Sequence, residues 1–274
     1  MGPFQKKAES KKREWVYPKK MQGKLYRYRN VLSYLLLTLL FAAPFIKINN
    51  DQLILLNVLE RKFVFFGAVF MPQDTYIFVL AALTFVVFIV LFTVVFGRVW
   101  CGWACPQTIF MEMVFRKIEY WIEGDAQKQR KLNAGPATTE KILKKGAKHI
   151  IFIAISFLIS NTFLAYIIGA QKLIEIITEP PGQHLTGFIS ISIFTFIFYI
   201  VFAYVREIVC THICPYGRLQ GVLLDKKSLV VAYDFNRGEP REKIKKGTAS
   251  NAGDCVDCGL CAQVCPAGIH IRNG

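Results

Sequence analysis

Acidic residues are scarce in this sequence: 19 Asp and Glu stand against 34 Lys and Arg, a formal net charge of +15 over 274 residues. It has only four His, no glycine-rich nucleotide-binding loop and no nucleophile–base pair that stands out, so neither nucleotide binding nor nucleophilic catalysis is indicated. No RNA- or DNA-binding motif accompanies the basic residues, which removes nucleic acid as the reason for the charge. None of the eight cysteines lies in the middle of an apolar run. Nor are they spread through loops in the manner of a secreted disulfide scaffold. No cleavable signal is expected, because the first apolar run begins only at Val31, behind a basic stretch longer than a signal-peptide n-region.

What the chain does have is apolar residues, 53% of the total. A soluble protein of that composition would need an outsized core, whereas lipid solvates the outer face of a membrane span. Four apolar runs are expected to be spans, at Val31–Ile46, Tyr76–Phe96, Ile150–Ile168 and Gly187–Val205. The second is free of charge and reaches ~31 Å as a helix, against a hydrocarbon core of about 30 Å. Ser156, Ser160, Asn161 and Thr162 in the third are expected to hydrogen-bond to neighbouring helices.

Charge sets the orientation. Ten Lys and Arg lie in residues 1–30, ten in 97–148 and ten from Arg206 onward, while the two remaining connections hold four: Lys47, Arg61, Lys62 and Lys172. The positive-inside rule then puts both termini in the cytoplasm. Trp15, Tyr17, Tyr26 and Tyr28 suit the headgroup zone, and residues 1–14 read equally well as a disordered tail.

The cysteines fall into three groups. Cys255, Cys258, Cys261 and Cys265, followed by Pro266, have the C-x2-C-x2-C-x3-C-P spacing of a bacterial ferredoxin. Ligands so close in sequence wrap one cubane cluster; a zinc site needs two ligand pairs separated by more chain. Gly259 allows close backbone approach. Because the fourth cysteine of such a run serves the other cluster in two-cluster ferredoxins, Cys265 belongs either to this cluster or to a second one. The other two groups form an internal repeat: a span, an Arg, then C-x3-C-P, with Cys101 and Cys105 before Pro106, and Cys210 and Cys214 before Pro215. Pro disfavours helix at the residue before it and suits the first turn of a new helix. The four thiols are expected to form one four-thiolate site or two dithiol sites for Cu(I), zinc or iron–sulfur, with His212 a borderline ligand. Residues 107–121 read as an amphipathic helix along the membrane surface. His149 is expected to be a hydrogen-bonded anchor rather than a haem ligand, and Met111 and Met113 a buried helix face rather than copper ligands. His184 and His270 show no constellation.

The expected fold is an all-α membrane protein of two tandem transmembrane hairpins with a cytoplasmic ferredoxin-like segment. Its parts are a basic tail (1–30), a first hairpin (31–106), an amphipathic connection (107–148), a second hairpin (149–215), a linker (216–250) and the 4Fe–4S segment (251–274).

Val-Trp-Cys-Gly-Trp-Ala-Cys-Pro-Gln-Thr, Cys-Thr-His-Ile-Cys-Pro-Tyr-Gly-Arg and Gly-Asp-Cys-Val-Asp-Cys-Gly-Leu-Cys-Ala-Gln-Val-Cys-Pro, set behind four spans, resemble the cytochrome c oxidase accessory proteins of the CcoG/FixG type. More distantly, the C-x3-C-P pairs are similar to those of membrane polyferredoxins of the NapH and NosR kind. The resemblance implies reduction of Cu(II) to Cu(I) during assembly of a C-type haem–copper oxidase. The lipid bilayer, oxidase subunits or assembly factors and an unidentified electron donor would be the partners. By the same analogy Cys255, Cys258, Cys261 and Cys265 are 4Fe–4S ligands, while Cys101, Cys105, Cys210 and Cys214 bind copper or a further cluster. Relatives continue past Ile-Arg-Asn-Gly into a second cysteine quartet, another span and a periplasmic domain, so a C-terminal truncation is expected. Two other roles compete: an electron-transfer subunit of a quinol-oxidising complex, and a copper chaperone without redox turnover.

Overall fold

The computed structural model describes residues 15, 17–48, 51–57, 62–65, 67–70, 75–136, 138–178, 185–224, 228–241, 253–266 and 271–273. The tail reading of residues 1–14 lies outside these, as do His184 and His270.

Among the described residues, four helices are long and apolar enough to cross a membrane. The first, α1 (Lys24–Ala42), continues through a 3-10 turn to Phe45, and Pro44 stands in that turn. It begins at Lys24 rather than at Val31. No residue from Lys24 to Asn30 breaks a helix, and Lys and Arg stems reach polar surroundings from a helix end. Two small antiparallel sheets follow: β1 (Lys47–Ile48) with β2 (Asp51–Gln52), and β3 (Ile54–Asn57), β4 (Lys62–Phe65) and β5 (Ala68–Phe70) in that order. These strands modify the all-α expectation. Gly67, at φ +83°, supplies the turn between β4 and β5 that a side chain would strain.

The second span is α2 (Thr75–Phe96). After it come α3 (Val99–Trp103), α4 (Pro106–Ile109), a π-helical stretch Phe110–Phe115 and α5 (Arg116–Ile122), then α6 (Ala126–Ala134). The third span, α7 (Thr139–Ile168), has 30 residues, ~45 Å of helix, and so outruns the hydrocarbon core by several turns. It stops at Gly169, whose φ of +97° a side chain would strain. After α8 (Ala170–Thr178), the fourth span α9 (Leu185–Ile200) ends in a π-helical stretch Val201–Val205. A further π-helical stretch, Val209–Ile213, precedes α10 (Pro215–Leu223). The short α11 (Phe235–Gly238) and α12 (Leu260–Val264) complete the α-helices among the described residues.

Two compact units result. One gathers residues 22–123 and 136–230; the other gathers three separate pieces, 1–21, 124–135 and 231–274. In the first, α7 packs along α9, and Ser160 Oγ meets Thr195 Oγ1 at 2.8 Å across that contact. The other polar groups expected there behave differently. Asn161 and Thr162 bond back to the carbonyls of Phe157 and Leu158 on their own helix, and Ser156 is fully buried. A hydroxyl or amide that can reach the carbonyl four residues back satisfies itself locally.

The segment from α4 to α5 forms the helix anticipated, but it is not a surface helix. Ile109, Phe110, Met111, Met113 and Phe115 are all buried. Phe115 stacks on Phe202 at 4.7 Å and meets Phe152 edge-on at 4.8 Å, and Phe110 touches Phe41 and Phe202. The segment after the first C-x3-C-P motif is thus inserted among α1, α7 and the end of α9. Aromatic pairs of this geometry contribute about 0.5–1.5 kcal/mol each beyond their area. Met111 and Met113 belong to this packing.

In the second unit, Asp125 caps α6 by accepting from Ala126 N at 2.8 Å and also accepts from Lys20 N at 3.2 Å. Lys19 N donates to Gln263 O of α12 at 2.9 Å, and Asn133 bonds the Tyr17 hydroxyl. The N-terminal piece, α6 and the ferredoxin-like segment therefore form one body.

Candidate functional site

All eight cysteines are free thiols. In the ferredoxin-like segment, Asp257 (φ +48°) and Gly259 (φ +67°) adopt positive φ and wind the chain tightly between Cys255, Cys258 and Cys261. Cys261 then lies on α12, and Cys265 ends that helix in an extended conformation, φ −66° and ψ 118°. Gly253 N and Asp254 N donate to Pro240 O and Arg237 O, at 2.9 and 3.0 Å. Arg237 pairs with Asp254, and Arg272 with Asp257. These contacts hold both ends of the loop.

The two C-x3-C-P motifs share a local form. Cys105 (φ −61°, ψ 123°) and Cys214 (φ −68°, ψ 116°) are both extended, and Pro106 and Pro215 each open a new helix. The cause is steric: the proline ring excludes the preceding residue from the helical region, and its missing N–H costs nothing at a helix start. Cys265 before Pro266 repeats the conformation. The structure brings the pairs into one neighbourhood. Burial pushes the Cys101 thiol up, with Cys105 and Cys214 adding to the shift and the Gln220 hydrogen bond opposing it. Burial likewise pushes Cys210 up to about 11, with the other three cysteines and Glu207 adding to it. Gly217 lets α10 fold back on the motif, since a methyl there would clash with the carbonyl of Cys210. His212 is not brought in: it is exposed, and its Nδ1 meets Thr211 Oγ1 at 2.7 Å. His149 Nδ1 meets the Tyr199 hydroxyl at 2.9 Å.

Among the described residues, no three His, Cys, Asp or Glu side chains are drawn tightly enough to hold a metal ion. The donor sets nonetheless fit thiolate-loving centres in kind. Each offers sulfur alone, at the spacings of iron–sulfur and soft-metal ligand sets. In metal-free protein, Cys210 is expected to react with iodoacetamide slowly at pH 8, where it is protonated. Its rate should climb as pH approaches 11, and a rate that levels off by pH 9 would contradict its burial.

A buried charge network, which the sequence did not bring to notice, ties the two repeats together. Arg116 pairs with Glu112 on its own segment and with Glu207 ahead of the second motif. Arg206 forms a two-pronged pair with Glu119, one arm at 3.0 Å, and also donates to Phe202 O. Lys148 of α7 reaches Glu123 at 2.8 Å and Glu119 at 3.6 Å. Arg116, Arg206, Glu112, Glu119 and Glu123 are all buried. Burial pushes the Glu112 carboxyl up, against the pull of Arg116. The signal was present in the spacing: Glu112, Arg116 and Glu119 share one helix face, and it is the face that meets the other repeat.

These features define a class: a multi-pass membrane protein with iron–sulfur domains. Residues 205–274 match the family described as "4Fe-4S dicluster domain", and residues 78–125 match "4Fe-4S binding domain". The chain is 37% identical to "Nitrogen fixation protein FixG" of Rhizobium meliloti, over 96% of this chain and 51% of that protein. It is 33% identical to "Protein RdxB" of Cereibacter sphaeroides over 96% of this chain and 56% of the relative, and 36% identical to "Protein RdxA" of the same organism over 82% and 47%. It belongs to the membrane ferredoxin proteins of the FixG/CcoG type. The chain spans about half the length of the curated relatives it matches. No solved structure matches it.

Proposed function

We propose that this chain carries electrons across the cytoplasmic face of the bacterial inner membrane to copper, reducing Cu(II) to Cu(I) for assembly of a C-type haem–copper oxidase. The observation that carries the reading is the convergence of Cys101, Cys105, Cys210 and Cys214 in one neighbourhood, buried enough to raise Cys101 and Cys210. Soft thiolates favour Cu(I) over Cu(II), so binding there pulls the reduction forward. Cys255, Cys258, Cys261 and Cys265 would hold a 4Fe–4S cluster, which when bound supplies one-electron transfer. One electron from a soluble low-potential carrier then converts one Cu(II) to Cu(I), and no proton is required.

The chain's own residues prepare that step. The network of Arg116, Arg206, Glu112, Glu119 and Glu207 fixes the two motifs against each other. The four thiols are half-buried, which limits the access of water to them. The topology behind the reading is two tandem hairpins with both termini cytoplasmic. Two facts support it: the Lys and Arg distribution, and the joining of residues 1–21, 124–135 and 231–274 into one compact unit. Those pieces precede α1, separate α2 from α7 and follow α9, so they meet only if they share a side.

The test is anaerobic reconstitution with iron and sulfide, then Cu(II) reduction driven by dithionite. Cys101→Ala with Cys210→Ala is expected to lower the rate at least tenfold while leaving the iron and sulfide of the quartet in place; an unchanged rate removes the copper step. A second reading, an electron-transfer subunit of a quinol-oxidising complex, is favoured by an apolar cavity of about 330 Å³. Leu36, Leu40, Ala104, Pro106 and Tyr166 help to line it, so it borders the Cys105 motif. That reading requires reduction of the protein by a quinol analogue without dithionite.

A further inference from the structure

Cys101 belongs to the first C-x3-C-P motif, yet the side chain that hydrogen-bonds it comes from the second repeat. Gln220 lies on α10, is 1% exposed, and donates from Nε2 to Cys101 Sγ at 3.0 Å. Two links to the span of the first repeat hold this part of the chain. The Tyr216 hydroxyl meets Thr93 Oγ1 at 2.8 Å, and Ser228 Oγ, beyond the end of α10, donates to Val94 O at 2.6 Å. The first repeat reciprocates: its own post-cysteine segment is buried against α7 and α9. The two post-cysteine helices are thus exchanged between the repeats.

A buried amide is costly unless partnered, and a neutral thiol is a poor acceptor. A sulfur carrying negative charge is a good one, because the bond becomes charge-assisted. An amide committed to Cys101 in a buried setting therefore points to a charged sulfur, as in a metal-bound thiolate. We propose that Gln220 is a working part of the four-cysteine centre: its N–H bond to Cys101 favours the reduced, more negative form and so raises the reduction potential. The proposal rests on the reading of Cys101, Cys105, Cys210 and Cys214 as a redox centre. The balance is simple. One electron enters, negative charge on the sulfurs rises, the N–H···S bond strengthens, and no proton moves. Hydrogen bonds to sulfur are among the factors that set such potentials.

Full-length Gln220→Leu and Gln220→Met remove the donor at nearly constant volume. Each is loaded anaerobically with iron and sulfide or, in a parallel sample, with Cu(II), and titrated by EPR. The signal followed is the one lost in Cys101→Ser, with the Cys255–Cys265 signal as internal reference. Both variants are expected to shift the Cys101-dependent signal to lower potential and to leave the reference unmoved. If Gln220→Leu fails to fold, Gln220→Met decides. An unmoved Cys101-dependent potential overturns the role of Gln220 alone. The absence of any such signal in the unaltered protein overturns the redox-centre reading, and this inference with it.

Discussion

Cys258→Ala is expected to strip the ferredoxin-like segment of nearly all its iron and sulfide and to abolish its EPR signal. On the proposed copper reading, Cu(I) binding at Cys101, Cys105, Cys210 and Cys214 should be unaffected. A cubane cluster uses four thiolates, and the loop around Cys258 has no further cysteine to replace it. Cys258 is the exposed member of the quartet, between Asp257 and Gly259 at positive φ. Nothing in the loop can slide to replace it, because the backbone is held on one side by Arg237 O and Pro240 O and on the other by α12. Cys255→Ala and Cys261→Ala should behave alike. Cys265→Ala is the discriminating member of the series. Cys265 is extended and followed by Pro266, the conformation shared with Cys105 and Cys214, and it stands at the far end of α12. Equal loss of iron assigns it to this cluster; near-full retention shows that it is not a ligand of this cluster. Acid-labile sulfide and iron per chain, measured without oxygen, read out all four variants. Retention of full iron in Cys258→Ala would sink the assignment of the quartet.

Much of this architecture was written in composition and spacing. Four spans follow from apolar runs, because a stretch such as Thr75–Phe96 has no charge to keep it out of lipid. The break at each second cysteine follows from proline alone, since the ring forbids helix at the residue before it whatever the surroundings. The sheets between α1 and α2 were not legible. Their strands are two to four residues long, too short for alternation to register against the stronger signal of neighbouring spans. The placement of Pro106–Ile122 was misread for a different reason. A helix carrying Glu112, Arg116, Lys117 and Glu119 has a charged face, and solvent is the ordinary partner of such a face. Here the partner is a set of opposite charges, Arg206, Glu207 and Lys148, that lies 29 to 91 residues away in sequence. Periodicity reports that a face is polar; it does not report what satisfies it. Gln220 and Cys101 were invisible for the same reason, as their pairing spans 119 residues.

Because that network is buried, removing one partner should cost far more than a surface ion pair would. Arg206→Met is expected to destabilise the protein by about 3–5 kcal/mol, the range for breaking a buried pair and leaving a charge uncompensated. Glu119 would then keep only Lys148, at 3.6 Å, in place of a two-pronged guanidinium. Glu119→Leu should be similarly damaging, since it removes the carboxylate of the two-pronged pair from a buried guanidinium. The double variant Arg206→Met/Glu119→Leu should recover most of the loss, because the two apolar side chains need no desolvated partner. That recovery is what distinguishes an ionic brace from general overpacking. Arg206 carries a second cost of its own. At φ +47° it sits where L side chains are strained, typically by about 1–3 kcal/mol. Arg206→Gly should therefore lose less stability than Arg206→Ala, with the difference reporting the backbone part alone. Thermal unfolding in detergent, followed by tryptophan fluorescence, measures the series. The functional consequence falls on the motif next door: Arg206 stands four residues before Cys210 and Arg116 grips Glu207, so loss of the brace frees the second thiol pair from the first. On the proposed copper reading, Cu(I) affinity at Cys101, Cys105, Cys210 and Cys214 should then drop at least tenfold in Arg206→Met and return in the double variant, while iron at the quartet stays constant. A single variant as stable and as tight for Cu(I) as the unaltered protein would show that the charges are passengers and that the aromatic packing of Phe110 and Phe115 holds the repeats together without them.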